Sequence, residues 1–276
     1  MKTNGKCIYQ PKGKAREYST WACNLFIGCS NDCQYCYLKR GVLKGTMGGK
    51  TPELKSGLEK DWLAVFKKEV DTNSDAIRRD GGLFFSFSTD PCLKETLDHT
   101  INAVLYATLK NIPCTILTKR AEWIYAGKDK FNNELLALML PSVRPLVKIG
   151  ISLSGYPKAE PNASSEEERK TTLKKLHKFG FKTFVSFEPI LDIDAVKKHI
   201  EDIKDYCDEF KFGLLSGNAC KTRMYENKDI LKTNVNTFFS DVHPLLSGLG
   251  KKVFWKKSVV DLLTEENRQA CNLSKQ

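Results

Sequence analysis

The sequence contains no run of 18 apolar residues, so we expect no helix that crosses a membrane. Its first 18 residues are polar and basic and lack the apolar core of a secretory signal, so we expect a cytoplasmic protein. Internal repeats, low-complexity tracts and an obvious interdomain linker are also missing. The 276 residues therefore suggest a basic N-terminal extension over 1–18, followed by a single domain over 19–276.

Ten cysteines need an explanation, because structural disulfides are rare in a reducing compartment. Seven of them are scattered, and small buried hydrophobic residues are their simplest interpretation. These are Cys7, Cys23, Cys92, Cys114, Cys207, Cys220 and Cys271. The remaining three lie close together and need another reason.

The formal net charge of +11 indicates either simple solubility or an anionic partner such as DNA or RNA. Near the C-terminus, four lysines flank the aromatic pair Phe254 and Trp255. This pattern predicts either a nucleic-acid contact or a strand with a solvated edge.

Short apolar runs alternate with helical patterns along the chain. We predict strands at 21–27, 83–88, 115–118, 147–154, 183–187 and 210–215. Helical patterns lie between them, and Ser165 with Glu168 has the spacing of a helix capping box. Six strand–helix units predict an α/β fold, a partial (β/α)6 TIM-type barrel of parallel strands with outer helices. A doubly wound open sheet is the alternative.

Polar residues alternate with apolar ones at the C-terminal ends of several predicted strands. The sets are Ser86 with Ser88 and Asp90, Ser152 with Ser154, Ser186 with Glu188, and Ser216 with Asn218. Period-two alternation places each set on one face. Parallel strands covered by helices are usually apolar throughout. We therefore expect a barrel interior that opens into a polar site at the strand ends.

Cys29, Cys33 and Cys36 follow the first predicted strand at the spacing CxxxCxxC. Three thiolates on one loop can hold a single metal centre. Structural zinc sites normally use four protein ligands, and no fourth cysteine or histidine is nearby. A [4Fe–4S] cluster with three protein ligands leaves one iron open to a small molecule. Zinc, or no metal, remains an alternative.

This trio, with the aromatic Tyr35 before its last cysteine, resembles the signature of the radical S-adenosylmethionine (SAM) superfamily. Further segments resemble its spore photoproduct lyase-like, or "DNA repair photolyase", branch: 24–29, 88–91, 117–119, 152–154, 160–163 and 186–189. The resemblance implies reductive cleavage of SAM at the cluster to a 5′-deoxyadenosyl radical, in an enzyme of lyase or oxidoreductase type. It also implies a flavodoxin- or ferredoxin-like electron donor.

The resemblance also implies roles for individual residues. Ser88, Thr89 and Asp90 would receive the amino group of SAM, although Asp90-Pro91 could be a plain turn. Lys119 would contact the SAM carboxylate, or else be a surface lysine. Four further positions are expected at the cofactor: Tyr35, Ser152, Ser154 and Glu188. Glu188 would contact the ribose or ammonium of SAM, with a structural salt bridge as the alternative.

The match departs from spore photoproduct lyase at the cysteine that serves that enzyme as hydrogen donor. Here Cys92 and Cys220 are the candidate functional thiols, although neither lies at the family position. We expect a nucleic acid or nucleotide substrate. The alternatives are a radical SAM enzyme that modifies a peptide or small metabolite, and a non-catalytic metal-binding module for nucleic acid.

Overall fold

The computed structural model describes residues 5–125, 138–216 and 222–270. Their strands are β1 (Ile8–Tyr9), β2 (Trp21–Cys23), β3 (Phe26–Ile27), β4 (Glu53–Leu54), β5 (Leu83–Phe85), β6 (Cys114–Thr118), β7 (Val147–Ser152), β8 (Lys182–Ile190), β9 (Glu209–Leu214) and β10 (Lys252–Trp255). Eight of them form one sheet in the order β1-β2-β5-β6-β7-β8-β9-β10. The other two, β3 and β4, form an antiparallel pair.

From β2 to β10 all neighbours in the main sheet are parallel, and β1 joins its edge antiparallel to β2. The predicted α/β barrel of parallel strands is therefore confirmed. The structure adds β10 to the six predicted strands, as a seventh parallel member. Of the two interpretations of the basic C-terminal segment, the strand is the one found: Trp255 is 3% exposed and stacks on Phe212, with ring centroids 4.4 Å apart.

The helices of the described residues are α1 (Trp62–Arg79), α2 (Leu97–Leu109), α3 (Glu122–Tyr125), α4 (Glu166–Lys178), α5 (Ile193–Ile203), α6 (Lys228–Gly248), α7 (Lys257–Val260) and α8 (Glu265–Ala270). Asp61 caps α1 by accepting a hydrogen bond from the Ala64 N–H. The predicted capping box starts α4, with Ser165 and Glu168 each bonding the other's backbone N–H. None of the helices described is long and apolar enough to cross a bilayer.

Two faces of the sheet differ in character. On β9, Phe210 and Phe212 belong to the apolar core that packs against the helices. The alternate residues, Glu209 and Lys211, face the barrel interior, where Lys148 also contacts Glu209 at 2.8 Å. The interior is therefore polar and charged along these strands, and this character continues to their C-terminal ends.

The first described residues are integrated with this barrel. Ile8 and Tyr9 extend the sheet as β1, and a short 3-10 helix over Gly13–Glu17 follows. Tyr18 then packs against Phe84 and Phe87, whose rings lie inside the barrel. The boundary predicted after residue 18 therefore separates segments that are in contact.

Candidate active site

A cavity of about 520 Å³ opens at the C-terminal ends of the parallel strands. That volume is in the range of small-molecule and cofactor sites. Polar groups from successive strand ends line it: Ser86, Thr89, Asp90, Lys119, Ser152, Glu188 and Ser216. Cys29, Cys33 and Cys36 line the same cavity. The structure therefore brings the cysteine trio and most of the predicted cofactor residues to one place.

The loop that carries the cysteines begins at a glycine with little freedom for substitution. Gly28 has φ +76°, and a Cβ at this position would lie 2.3 Å from the Thr51 carbonyl oxygen. The Gly28 N–H donates to the Met47 carbonyl at 3.1 Å, and the Cys29 N–H donates to the Gly49 carbonyl at 3.0 Å. The start of the loop is thus attached to the segment that precedes β4.

A second segment, residues 157–163 after β7, holds the other side of the cysteine loop. The Gln34 N–H donates to the Ala159 carbonyl at 2.8 Å. Asn162 Nδ2 donates to the Ser30 carbonyl at 3.0 Å. These contacts connect the loop after β7 to the loop after β2.

Tyr35 strengthens this connection, because its hydroxyl donates to the Glu160 carboxylate. Glu160 in turn accepts from Arg169 of α4 at 2.6 Å, and their side chains are 0% and 1% exposed. Arg169 also donates to the Ser164 carbonyl at 2.9 Å. Burial is the main reason why the pKa of Tyr35 is well above its usual value, and the Glu160 charge adds to the effect. Tyr35 is therefore a neutral donor at ordinary pH.

Among the described residues, the cavity wall contains three cysteines and no histidine. Burial raises the pKa of Cys29 to about 12 and that of Cys33 to about 11. Such thiols ionise when a metal replaces their protons. Three thiolates without a fourth protein ligand fit a [4Fe–4S] cluster with one open iron better than a closed zinc site.

Asp90 links the loops around the cavity. Its Oδ1 accepts from Thr118 Oγ1 at 2.6 Å and from the Cys92 N–H at 3.0 Å. Its Oδ2 accepts from the Lys119 N–H at 2.7 Å and from Asn31 Nδ2 at 2.8 Å. A carboxylate offers about four acceptor positions, so protein donors occupy them all. The carboxylate thus serves to hold loops together, and it has little capacity left for the amino group of SAM.

The side chain of Thr89, the neighbour of Asp90, differs from that of Asp90 because it lacks hydrogen-bond partners among the described residues. Its Oγ1 is buried and has no hydrogen-bond partner among the described residues, and Thr89 lines the cavity. Buried polar groups are normally paired. An unpartnered hydroxyl here fits a bound ligand that supplies the missing partner.

Ser88 and Ser154, both predicted at the cofactor, are not in the cavity wall. The Ser88 hydroxyl donates to the Phe26 carbonyl, and the Ser154 hydroxyl accepts from the Tyr156 N–H at 3.2 Å. The predicted alternation fails because β5 ends at Phe85 and β7 ends at Ser152. Beyond these ends, turns rather than pleats decide where a side chain points.

Lys119 and Ser152 lie together at the cavity, as predicted. Lys119 Nζ donates to Ser152 Oγ at 2.9 Å and is 3.9 Å from a Glu160 oxygen. Burial favours the neutral amine, but the charges of Glu160 and Cys33 outweigh it, so the pKa of Lys119 is raised. The side chain therefore presents a stable ammonium, 5.7 Å from the centre of the Tyr35 ring.

Glu188 lines the cavity but has protein partners. Lys256 Nζ donates to both its oxygens, at 2.7 and 2.8 Å, and the Tyr18 hydroxyl donates at 2.6 Å. Lys256 is 2% exposed and also pairs with Glu17 at 3.1 Å. The salt bridge given as the alternative for Glu188 is therefore present, and a contact with SAM stays a prediction.

Cys92, one of the two candidate thiols, does not line the cavity. Cys92 is 2% exposed and belongs to the apolar core. Burial holds its pKa well above the usual value. It is therefore a core thiol, which disfavours the predicted role as hydrogen donor. Cys220 lies outside the described residues.

Four residues had no role at the cavity in the sequence analysis, where Lys256 was only one of the four lysines of the basic C-terminal segment: Tyr18, Glu160, Arg169 and Lys256. Glu160 belongs to the 160–163 segment that resembles the photolyase branch, so its position could have been suspected. Tyr18, Arg169 and Lys256 carry no local signal, because their partners are distant in the chain.

No protein-family model and no curated protein matches the chain. Solved structures do match its fold. A spore photoproduct lyase complexed with dinucleoside spore photoproduct is 14% identical with a TM-score of 0.60, over 90% of this chain and 80% of that one. A mutant of the lyase with bound AdoMet and the same dinucleoside is 16% identical with a TM-score of 0.55, over 85% and 64%.

SuiB from Streptococcus suis, bound to S-adenosylmethionine, is 13% identical with a TM-score of 0.55. The match covers 85% of this chain and 49% of SuiB, so the chain spans about half the length of that protein. At such identities the comparisons bear on the fold. The chain shares the partial α/β barrel of these two radical SAM enzymes, which is the fold implied by its cysteine motif.

Proposed function

We propose that this chain is a radical SAM enzyme. The observation that carries the proposal is the convergence of Cys29, Cys33 and Cys36, without a fourth cysteine or histidine in the described cavity wall, at the strand ends of a SAM-enzyme fold. A [4Fe–4S] cluster bound there supplies reductive cleavage of SAM to methionine and a 5′-deoxyadenosyl radical. A flavodoxin- or ferredoxin-like protein is the proposed electron donor.

The residues around the cavity have charges and donors that suit SAM. The Lys119 ammonium has three donors, and among the described residues it donates a hydrogen bond to Ser152 Oγ at 2.9 Å. We assign to it the carboxylate of the ligand. The Thr89 hydroxyl is free to accept from the ligand's ammonium or donate to an oxygen. Asp90 holds the Lys119 backbone in place, and Tyr35 holds the cysteine loop.

The test is anaerobic reconstitution with iron and sulfide, followed by dithionite and SAM. We expect absorption near ~400 nm from thiolate-bound iron and formation of 5′-deoxyadenosine. Cys33→Ala should lose both signals, whereas Cys114→Ala, a change at a buried core cysteine, should keep them. Bound zinc without SAM cleavage would instead support the non-catalytic metal-binding module.

For the substrate we propose a nucleic acid or nucleotide. The net charge of +11 supports this choice, as does the fold shared with a lyase solved with a dinucleoside. The second candidate is a peptide, because SuiB shares the fold and was solved bound to the precursor peptide SuiA. Binding to a basic phosphate track weakens steeply as salt rises. If no oligonucleotide binds at low salt, the nucleic-acid proposal is wrong and the peptide becomes the first choice.

A further inference from the structure

The segment 12–18 forms one wall of the cavity. Lys12, Lys14, Ala15 and Tyr18 all line it. The segment connects β1, at one edge of the sheet, to its neighbour β2. It nevertheless contacts residues that follow β9 and β10, at the other edge. It therefore lies across the open side of the partial barrel.

Several hydrogen bonds hold the segment there. Lys14 Nζ donates to Ser216 Oγ at 2.7 Å, and Lys256 Nζ donates to the Lys14 carbonyl at 3.2 Å. The Lys257 N–H donates to Glu17 at 3.1 Å. These contacts make the segment a fixed part of the site.

The other charged side chains of the wall have ion-pair or hydrogen-bond partners in the protein. Lys119 lies beside Glu160, and Lys256 pairs with Glu188 and Glu17. Asp90 is saturated by four protein donors. Lys12 and Lys14, in contrast, have no carboxylate partner among the described residues. An uncompensated positive charge beside a cavity concentrates anions in it.

An aromatic surface accompanies these cations. The Tyr37 ring lines the cavity, is 50% exposed, and its hydroxyl donates to the Phe87 carbonyl at 2.6 Å. Phe87 also lines the cavity and lies 6.1 Å from the Tyr18 ring, between centroids. Exposed aromatic faces stack on nucleobases, and neighbouring lysines track the phosphates.

We propose that Lys12 and Lys14 bind the phosphodiester group of the substrate, with the base beside Tyr37. This inference rests on the proposed function and deepens it, because it assigns substrate selection to the N-terminal segment. The two lysines would bind one negatively charged phosphodiester group, so the site should distinguish a charged dinucleotide from one with a neutral linkage.

The experiment uses the full chain, anaerobically reconstituted and loaded with SAM. The probes are thymidylyl-thymidine with its natural phosphodiester and the same dinucleoside with an uncharged methylphosphonate linkage. We expect the wild-type protein to prefer the charged probe. Lys12→Gln/Lys14→Gln should weaken its binding by about 2- to 30-fold, the range of two exposed ion pairs, and leave the uncharged probe unaffected.

Two control variants separate charge from structure. Lys178→Gln/Lys182→Gln removes the same charge from exposed lysines near the opposite, N-terminal end of β8 and should not change binding. Ser216→Ala removes the hydrogen bond that positions Lys14 but keeps both lysine charges, so it should weaken binding of the charged probe less than Lys12→Gln/Lys14→Gln does.

The inference is overturned if the wild type binds both probes equally, if it binds neither, or if Lys12→Gln/Lys14→Gln behaves as the wild type. Formation of 5′-deoxyadenosine is measured separately on the wild-type protein without either probe. Cleavage of SAM together with any of these binding results would refute only the inference. Absence of the cluster and of cleavage would refute the proposed function itself.

Discussion

The pair Glu160 and Arg169 should be the most sensitive polar contact of the described structure. Their side chains are 0% and 1% exposed, and 2.6 Å separates Arg169 Nη2 from Glu160 Oε2. Glu160→Gln keeps the shape of the side chain but leaves the guanidinium buried without its counter-charge. Breaking a buried pair in this way costs about 3–5 kcal/mol. That is a large fraction of the roughly 5–15 kcal/mol by which most domains are stable.

Urea unfolding of the metal-free chain, followed by circular dichroism, measures this cost. The matched control is Glu201→Gln, which removes the carboxylate of an exposed ion pair. The Glu201 side chain is 56% exposed and that of its partner Lys204 is 26% exposed. Exposed pairs contribute less than about 1 kcal/mol. A loss of under about 1 kcal/mol for Glu160→Gln, equal to the control, would show that the pair is not buried as the structure has it.

A double substitution adds a second check on the same reasoning. Glu160→Leu/Arg169→Met removes both charges and retains apolar volume. It should be less destabilising than Glu160→Gln, since no uncompensated charge remains. If the double variant is the less stable of the two, the cost does not come from a buried charge.

Three further predictions concern other parts of the structure. Cys92→Ala should keep the ~400 nm absorption and SAM cleavage, because Cys92 lies in the core; loss of both would place it at the cluster. Ser165→Ala should cost about 1 kcal/mol of unfolding free energy, the usual value of a helix cap, and an unchanged urea midpoint would contradict the capping box. Burial opposes ionisation of Glu166, but the hydrogen bond and charge of His199, the Ser154 N–H and the Arg169 charge together outweigh it and lower the pKa of Glu166 below the ordinary value of 4.5. Its stabilisation is therefore complete above pH 4.5 and is lost as pH falls through the lower folded pKa. Glu166→Gln should flatten the acid-induced fall of the unfolding free energy; an unchanged slope would contradict this assignment.

Features encoded over a few neighbouring residues could be predicted from the sequence. The cysteine spacing, the Ser165–Glu168 capping box and the alternation of strands and helices are of this kind. The shared position of Lys119 and Ser152 was predictable too, because parallel strands bring their C-terminal ends to the same edge. The fold likeness to spore photoproduct lyase and SuiB confirms the expected architecture.

The alternation rule failed where strands ended earlier than predicted. Ser88 and Ser154 lie beyond the ends of β5 and β7, so their side chains follow turns and bond to backbone groups outside the cavity. Asp90 was correctly placed at the site. Its saturation by four donors was not foreseeable, since Asn31, Thr118 and Lys119 reach it from other loops.

The amino-acid sequence alone determined the cysteine motif, the succession of strands and helices along the chain, and the start of α4. Each of these depends on residues that are close together in the chain. Only the tertiary structure decided the partners of Glu188 and the wall formed by residues 12–18. Lys256 is 68 residues from Glu188 and 242 residues from Lys14. Such pairs form only when the barrel brings its first and last segments together, so no local sequence pattern predicts them.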